Sequence, residues 1–207
     1  MYLYKEDPIT AKEIAKARGA CNGGPRYGKA VTLAETYAAC VEQPIHRLTW
    51  AISAALNLYC KGYDVGNAFA EAPAPVDPFF MYPDAQYREW WIGQGNDPIP
   101  HGYVIPINKA LQGHHKSPRL WDKRISKMLI EELGFTATVH EPCLYYKRDA
   151  NDDITLILRQ VDDFLVAHKS NVECDWIGKM IQDHVHCETY IKKIVTHHNW
   201  QHKKMRA

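Results

Sequence analysis

The chain has 207 residues, of which 46% are hydrophobic, so it can bury a real core as one domain with at most a small appendage. Its 25 basic and 24 acidic residues leave a net charge of +1, and bulk charge therefore identifies no partner. No run approaches 18 apolar residues and no basic, apolar leader opens the chain, so we expect neither a membrane-spanning helix nor a signal peptide.

The first part of the chain predicts a short helix and then a loop. The helix is expected over Thr10–Arg18, with Thr10 as its N-cap. Cys21–Gly28 is rich in Gly and Pro and predicts a loop. This loop is not a phosphate loop, because no strand leads into it and no Gly-Lys-Ser/Thr sequence follows.

A longer helix is predicted over Pro44–Tyr59, where apolar residues recur at helical spacing. Pro44 suits the first turn, and Gly62 is the expected stop. The expected buried face consists of Ile45, Leu48, Ile52, Leu56 and Tyr59. Tyr63–Phe69 then predicts a strand in which Asp64 is the one charged residue.

Irregular structure is expected between Glu71 and Asp84, which include Pro73, Pro75, Pro78 and Pro83. Tyr103–Ile107 predicts a short edge strand, since Pro106 cannot donate to a sheet. Gln112–Pro118 predicts a loop that enters a helix, with Ser117 as N-cap. The helix should end at Gly134 and bury one face, formed by Trp121, Ile125, Met128, Leu129 and Leu133.

The third quarter of the chain predicts an antiparallel meander and a final helix. The strands are expected at Cys143–Lys147, Ile154–Gln160 and Phe164–His168. The last helix is expected over Val172–Asp183.

Two adjacent carboxylates, Asp162 and Asp163, occupy the turn between the last two strands. Their like charges repel each other, and apolar neighbours solvate them poorly, so a divalent cation would relieve the cost. The chain contains a natural comparison, because Asp152 and Asp153 are also adjacent but follow a polar turn sequence. A solvated loop accounts fully for that second pair.

Basic residues concentrate in two stretches, which could contact phosphates or simply form solvated helix faces. In the first stretch, Asp122 is the one acidic residue among Lys109, Lys116, Arg119, Lys123, Arg124 and Lys127. The second stretch, beyond Ile191, holds Lys192, Lys193, Lys203, Lys204 and Arg206. The six cysteines form no Cys-x-x-Cys pair, which predicts reduced thiols in an intracellular, cytosolic or nuclear protein rather than a secreted one.

Four motifs together resemble the palm of reverse transcriptases, specifically those of Ty1/copia-type retrotransposons. They are DVGNAF (64–69), NKALQGHHKSPRLW (108–121), LGFTATVHEPCLYYKRD (133–149) and LILRQVDDFLVA (156–167), in family order and at family-like spacing. The resemblance runs from about Ala30 to His168. It implies an α+β fold in which an antiparallel sheet packs on helices, with partial fingers and a truncated thumb side.

The resemblance also implies how the chain is divided. Residues 1–29 would be an irregular remainder of the fingers, and residues 30–183 the palm with the rest of the fingers. Residues 184–207 resemble a segment that lies further downstream in such polyproteins. By the same resemblance, the intervening primer-gripping hairpin is expected to be missing, and only a remnant around Lys16 and Arg18 is expected of the first strand pair of the fingers.

The chemistry implied by the resemblance is RNA-directed DNA synthesis with two Mg²⁺ ions, or Mn²⁺. Asp64 and Asp162 would be the principal metal ligands, and Asp163 would assist. One ion would activate the attacking 3′-hydroxyl, and the other would steady the leaving pyrophosphate. Gln160 departs from the family pattern, which usually has an aromatic residue at that position.

Further residues would bind the substrates. Phe69 matches the position whose ring excludes a 2′-hydroxyl, while Gln112 and Gly113 would line the incoming nucleotide and the template base. Lys116 and Arg119 are the candidates for backbone phosphates. The implied partners are an RNA or DNA template with its primer, deoxynucleoside triphosphates and other segments of a retrotransposon polyprotein, in a cytoplasmic virus-like particle or the nucleus and without a membrane.

Two other functions fit the same residues. A non-catalytic nucleic-acid-binding remnant of the fold would use the basic stretches, and its binding would be salt-sensitive but indifferent to Asp64 and Mg²⁺. A two-metal nuclease would degrade the template without needing deoxynucleotides. The presence of Phe69 and Gln112 favours nucleotide selection over a nuclease.

Overall fold

The structure is a computed structural model that describes residues 2–6, 13–17, 20–21, 31–77 and 79–185, the first two ranges as backbone only. Its helices are α1 (Leu33–Thr36), α2 (Gln43–Ala55), α3 (Ala85–Gly93), α4 (Ser117–Lys127) and α5 (Asn171–His184). Its strands are β1 (Tyr2–Glu6), β2 (Glu13–Ala17), β3 (Tyr59–Asp64), β4 (Phe80–Met81), β5 (Ile105–Pro106), β6 (Thr136–Ala137), β7 (Leu144–Arg148), β8 (Ile154–Gln160) and β9 (Asp163–His168). Most of the predicted Cys21–Gly28 loop, and the predicted C-terminal segment beyond Val185, lie outside the described residues.

A five-stranded antiparallel sheet forms the centre of the fold, in the order β3-β9-β8-β7-β6. Alternate residues of its strands point to one face, and among these Ile157, Phe164 and Val166 belong to the main hydrophobic core. Residues of α4 and α5 complete the core, and they include Trp121, Ile125, Ile177 and Ile181. The predicted α+β class and the predicted meander are confirmed. None of the described helices is long and apolar enough to cross a membrane.

Helix α4 has the buried face that its sequence predicts. Trp121, Ile125, Met128, Leu129 and Leu133 are all buried in the core. The helix continues as a π-helical turn over Met128–Glu132 and is followed by Gly134 at φ +72°, a conformation that glycine adopts without strain.

The prediction of a helix over Thr10–Arg18 is wrong for residues 13–17, the part that the structure describes. Glu13–Ala17 is a strand and pairs antiparallel with Tyr2–Glu6. The pairing partner lies outside the window from which helical propensity is read, so long-range pairing overrides the local preference. The rest of the predicted helix, Thr10 to Lys12 and Arg18, lies outside the described residues.

Helix α2 ends earlier than predicted and buries a different face. It stops at Ala55, and Asn57 at φ +52° turns the chain into β3, so Tyr59 and Gly62 belong to the strand. Leu48 and Leu56 are each 51% exposed, whereas Thr49 and Ser53 are buried. Burial of these two hydroxyls is tolerated because each donates to the carbonyl four residues before it, at 2.9 and 2.8 Å.

Two further predictions need correction around the sheet. The strand predicted at Tyr63–Phe69 ends at Asp64, because Asn67 at φ +58° redirects the chain into a 3₁₀ turn over Ala68–Glu71. Helix α3 was not predicted, and the Asp84 side chain caps it by accepting a hydrogen bond from the Tyr87 backbone N–H at 2.8 Å. The predicted edge strand around Pro106 exists as β5, which pairs with β4.

Helix α5 holds the end of β3 through a close contact between Gly178 and the ring of Tyr63. The Tyr63 hydroxyl donates to the Cys174 carbonyl at 2.8 Å, and a Cβ added at Gly178 would overlap the ring. Because Tyr63 precedes Asp64, this contact fixes the place where the strand delivers that carboxylate.

Gly178→Ala is therefore expected to destabilise the protein by about 1–2 kcal/mol, since overpacking outweighs the better helix propensity of alanine. Urea unfolding followed by circular dichroism measures this free energy. Gly93→Ala is the matched control, because it makes the same change in a helix where the new Cβ meets nothing within 4 Å. Equal stability of the two variants would contradict the assigned contact.

Candidate functional site

The tip of the β8–β9 hairpin brings the predicted carboxylates together. Val161 and Asp162 form a two-residue turn, and Gln160 pairs with Asp163 across it. Asp64, the last residue of β3, pairs directly with Asp163, and the Val65 N–H donates to the Asp162 carbonyl at 2.9 Å. Directly opposed residues in a sheet project to the same face, so Asp64 and Asp163 share one side of the sheet.

An open cleft of about 360 Å³ lies along that face of the sheet, with both of these aspartates in its wall. Its other lining residues are His46, Gly62, Tyr63, Leu158, Gln160, Phe164 and Leu165. His46, which comes from α2, was not predicted to lie here. No local pattern indicates it, because the approach of α2 to this cleft depends on tertiary packing.

The hairpin tip carries negative charge that no nearby cation compensates within the described residues. Burial raises the pKa of Asp163 above its usual range, and the negative charges of Asp162 and then Asp64 raise it further. Within the described residues, no side-chain hydrogen bond or ion pair neutralises Asp64, Asp162 or Asp163. The control pair differs, because Asp152 and Asp153 pair with Arg148 and Lys169 at 3.2 Å each. The prediction of a solvated turn is confirmed for Asp152, whose side chain is 82% exposed, whereas the Asp153 side chain is 30% exposed.

A hard divalent cation suits the chemistry of this donor set, since Mg²⁺ prefers carboxylate oxygens. In the part of the chain that the structure describes, no three Asp, Glu, His or Cys side chains already converge as metal ligands. The aspartate side chains would therefore have to rotate inward when a cation binds. Side-chain rotation of exposed residues is fast and needs no movement of the strands.

A buried ion pair lies beneath the tip. Arg159, on β8, is 1% exposed, and its Nη2 lies 2.5 Å from Oδ1 of Asp122 on α4. Arg119, one turn earlier on α4, pairs with the other oxygen of Asp122 at 3.0 Å. This network was not predicted from the sequence, although its signals were the one acid in a basic stretch, Asp122, and the one arginine in an apolar strand, Arg159.

Lys116, a predicted phosphate ligand, bridges two other segments. Its Nζ lies 2.9 Å from Oε1 of Glu35, which belongs to helix α1, and 3.1 Å from Oδ2 of Asp77. A hydrogen bond from the Thr32 backbone, the Lys116 ammonium and the Thr32 hydroxyl lower the pKa of Glu35 to about 2. Lys116 thus connects the Gln112–Pro118 loop to Glu35 and Asp77, which both precede it in the chain.

The remaining predicted residues surround the same loop and the end of β3. Gly113 has φ +83°, and a Cβ there would overlap the backbone of Cys21, whose N–H donates to the Gln112 carbonyl at 2.6 Å. Phe69 is half-buried and packs against the main core from the 3₁₀ turn that follows Asp64. Glycine at 113 is therefore required by the backbone, independently of any ligand.

Comparisons with known proteins agree with these motifs. A family model described as "Reverse transcriptase (RNA-dependent DNA polymerase)" matches residues 2–197. The chain is also similar to a "Retrovirus-related Pol polyprotein from transposon TNT 1-94" of Nicotiana tabacum, with 24% identity over 141 residues. That alignment covers 68% of this chain and 10% of the relative, so the chain spans about a tenth of the length of the curated relative that it matches. No solved structure matches the chain.

Proposed function

Because the chain belongs to the reverse transcriptase (RNA-dependent DNA polymerase) family, we propose that it carries the nucleotidyl-transfer site of a transposon polyprotein and extends a DNA primer along an RNA or DNA template. The observation that supports this most is the register that sets Asp64 opposite Asp163, beside Asp162. In this proposal the central sheet with α4 and α5 is the palm of the polymerase, and the β1–β2 pair belongs to its fingers.

Two Mg²⁺ ions, or Mn²⁺, are the proposed cofactors, with Asp64 and Asp162 as principal ligands and Asp163 assisting. When bound, such ions supply activation of the primer 3′-hydroxyl and stabilisation of the leaving pyrophosphate. The chain itself supplies position and charge, since the β3–β9 register holds two carboxylates on one face and the turn adds the third. Those uncompensated charges favour a cation at the tip, and the raised pKa of Asp163 makes protons compete with it.

Deoxynucleoside triphosphates are the proposed substrates. Phe69 would exclude a 2′-hydroxyl, and its packing against the core supports that role by holding the ring in place. Gln112 and Gly113 would contact the nucleotide and the template base. Lys116 and Arg119 are the proposed phosphate contacts, and each would first have to release or share its carboxylate partner.

A primer-extension assay on poly(rA)/oligo(dT) with Mg²⁺ or Mn²⁺ tests this function. We expect deoxynucleotide incorporation by the unaltered chain and none without a divalent cation. Asp162→Asn should remove incorporation, whereas Asp152→Asn, the same change at the solvated turn, should retain it. Incorporation that persists in Asp162→Asn would refute the assigned site.

A nucleic-acid-binding remnant without catalysis is the second candidate, and one observation favours it. Within the described residues, no three Asp, Glu, His or Cys side chains are already gathered as metal ligands. This candidate predicts RNA binding that weakens steeply with salt but does not respond to Mg²⁺ or to Asp64→Asn. The same preparations used for primer extension can be assayed by filter binding to separate the two functions.

A further inference from the structure

The hairpin tip adopts a backbone conformation that its sequence does not favour. Val161 has φ +57°, which is unusual for a β-branched residue, and it occupies the first turn position, where two-residue hairpins commonly have glycine. Such a conformation persists only where surrounding structure holds it in place. The conformation of Val161 determines where Asp162 and Asp163 emerge, because they follow it directly.

Trp121 supplies a contact that holds this conformation. Its side chain is 1% exposed, and its Nε1–H donates to the Val161 carbonyl at 2.7 Å. An indole has a single polar hydrogen, and a buried donor needs a partner, so this bond fixes the direction in which the ring and the carbonyl face each other. Core packing alone would accept another large apolar ring at this position.

The next residue along α4 strengthens the same connection. Asp122 binds Arg159 on β8, two residues before Val161. Helix α4 therefore binds the turn through Trp121 and the end of β8 through the next side chain, Asp122. Since α4 begins at Ser117, directly after the loop that holds Gln112, the helix links the proposed nucleotide loop to the aspartate tip.

We propose that Trp121 is a positioning residue for the aspartate tip, and that its indole N–H sets the Val161 turn so that the carboxylates are placed to bind divalent cations. This inference rests on the proposed function and adds to it a residue that touches neither metal nor substrate. Residues that orient metal ligands from outside typically change metal affinity or activity by about 10–100-fold when altered.

Trp121→Phe tests the proposal because it keeps an aromatic ring in the core and removes the N–H. We expect Mn²⁺ binding, measured as loss of the free-ion electron paramagnetic resonance signal, to weaken about 10-fold or more. In primer extension we expect a similar fall in kcat, with the KM for the deoxynucleotide changed less than about 2-fold. A residue that only fills the core would lower thermal stability without moving metal affinity.

Trp91→Phe is the matched control. The Trp91 Nε1–H also donates to a backbone carbonyl, that of Asp97 at 2.9 Å, but it does so outside the sheet. This variant should keep both Mn²⁺ affinity and kcat. Equal Mn²⁺ affinity in Trp121→Phe and the unaltered chain would overturn the inference.

Asp162→Asn, which removes a proposed principal ligand, separates this inference from the function on which it rests. If Asp162→Asn loses Mn²⁺ binding and Trp121→Phe does not, only the inference fails. If Asp162→Asn also binds Mn²⁺ normally, the proposed function fails. Should Trp121→Phe not fold, ¹⁵N-indole spectra of the unaltered chain decide. The Trp121 indole N–H resonance is assigned as the one expected to exchange most slowly with D₂O. Its chemical shift should change when Mg²⁺ is added. A chemical shift that does not change would overturn the proposal.

Discussion

Asp163→Asn is expected to lower primer extension by about 10³-fold or more while making the protein slightly more stable. The loss follows if this carboxylate helps to hold the ions, because metal stabilisation of the transition state contributes several kcal/mol. The gain in stability follows from the structure alone, since Asp163 faces Asp64 directly across β3 and β9. Removing one of two like charges that oppose each other in a sheet should stabilise the fold by roughly 0.5 kcal/mol.

This gain should depend on pH in a defined direction. The pKa of Asp163 is raised in the folded chain, so folding favours its protonated form. At neutral pH the unaltered chain carries the unfavourable charge, and the asparagine variant does not. As pH falls through the raised pKa toward the ordinary value of 3.8, the unaltered chain becomes protonated and the difference should vanish.

Thermal unfolding followed by circular dichroism, at pH 7 and pH 3.5, measures this effect. We expect the melting temperature of Asp163→Asn to be about 1–2 °C higher at pH 7, and equal to that of the unaltered chain at the lower pH. Asp152→Asn should show no such gain, because Asp152 faces Arg148 rather than another acid. A lower melting temperature for Asp163→Asn at pH 7 would show that the carboxylate serves the fold instead of a ligand.

Asp122→Ala is expected to cause the largest loss of stability, about 3–5 kcal/mol. The substitution leaves the Arg159 guanidinium buried without a carboxylate, and the Nε of this arginine already has no partner within the described residues. Water cannot readily compensate a side chain that is 1% exposed. The melting temperature should fall by about 10 °C.

Glu131→Ala provides the comparison for urea unfolding of Asp122→Ala. Glu131 follows α4 in the same helical segment and pairs with Lys127 at 3.8 Å, but both side chains are more than 60% exposed. Removing such a surface pair should cost less than about 1 kcal/mol. Similar small losses in both variants would mean that Arg159 reaches solvent or another partner when Asp122 is absent.

The parts that the sequence predicts well are those with a strong local pattern. The apolar face of α4, the three meander strands and the turn with Asp162 and Asp163 follow from periodicity and charge placement. The predicted resemblance to reverse transcriptases of Ty1/copia-type retrotransposons is confirmed by the family match and the transposon relative. The pairing of Asp64 with Asp163 gives physical content to that resemblance.

The parts that the sequence does not predict depend on distant partners. Glu13–Ala17 is a strand because Tyr2–Glu6 pairs with it, and nothing in the helical window reports this. The buried hydroxyl of Thr49 is compensated by backbone four residues away, which a hydrophobicity pattern cannot register. The roles of Phe69 and Gln112 stay predictions, since the structure fixes their surroundings and not their ligands.

The two-residue turn at Val161 and Asp162 should tolerate insertions and deletions poorly. One inserted or deleted residue would shift the pairing of β9 by one position and turn Asp163 to the opposite face, away from Asp64. The turn between β7 and β8 is under no such restriction, because its exposed polar residues carry no opposed carboxylate. Among related sequences, length changes should therefore accumulate at the turn between β7 and β8, and a length change at the Val161–Asp162 turn would separate Asp163 from Asp64.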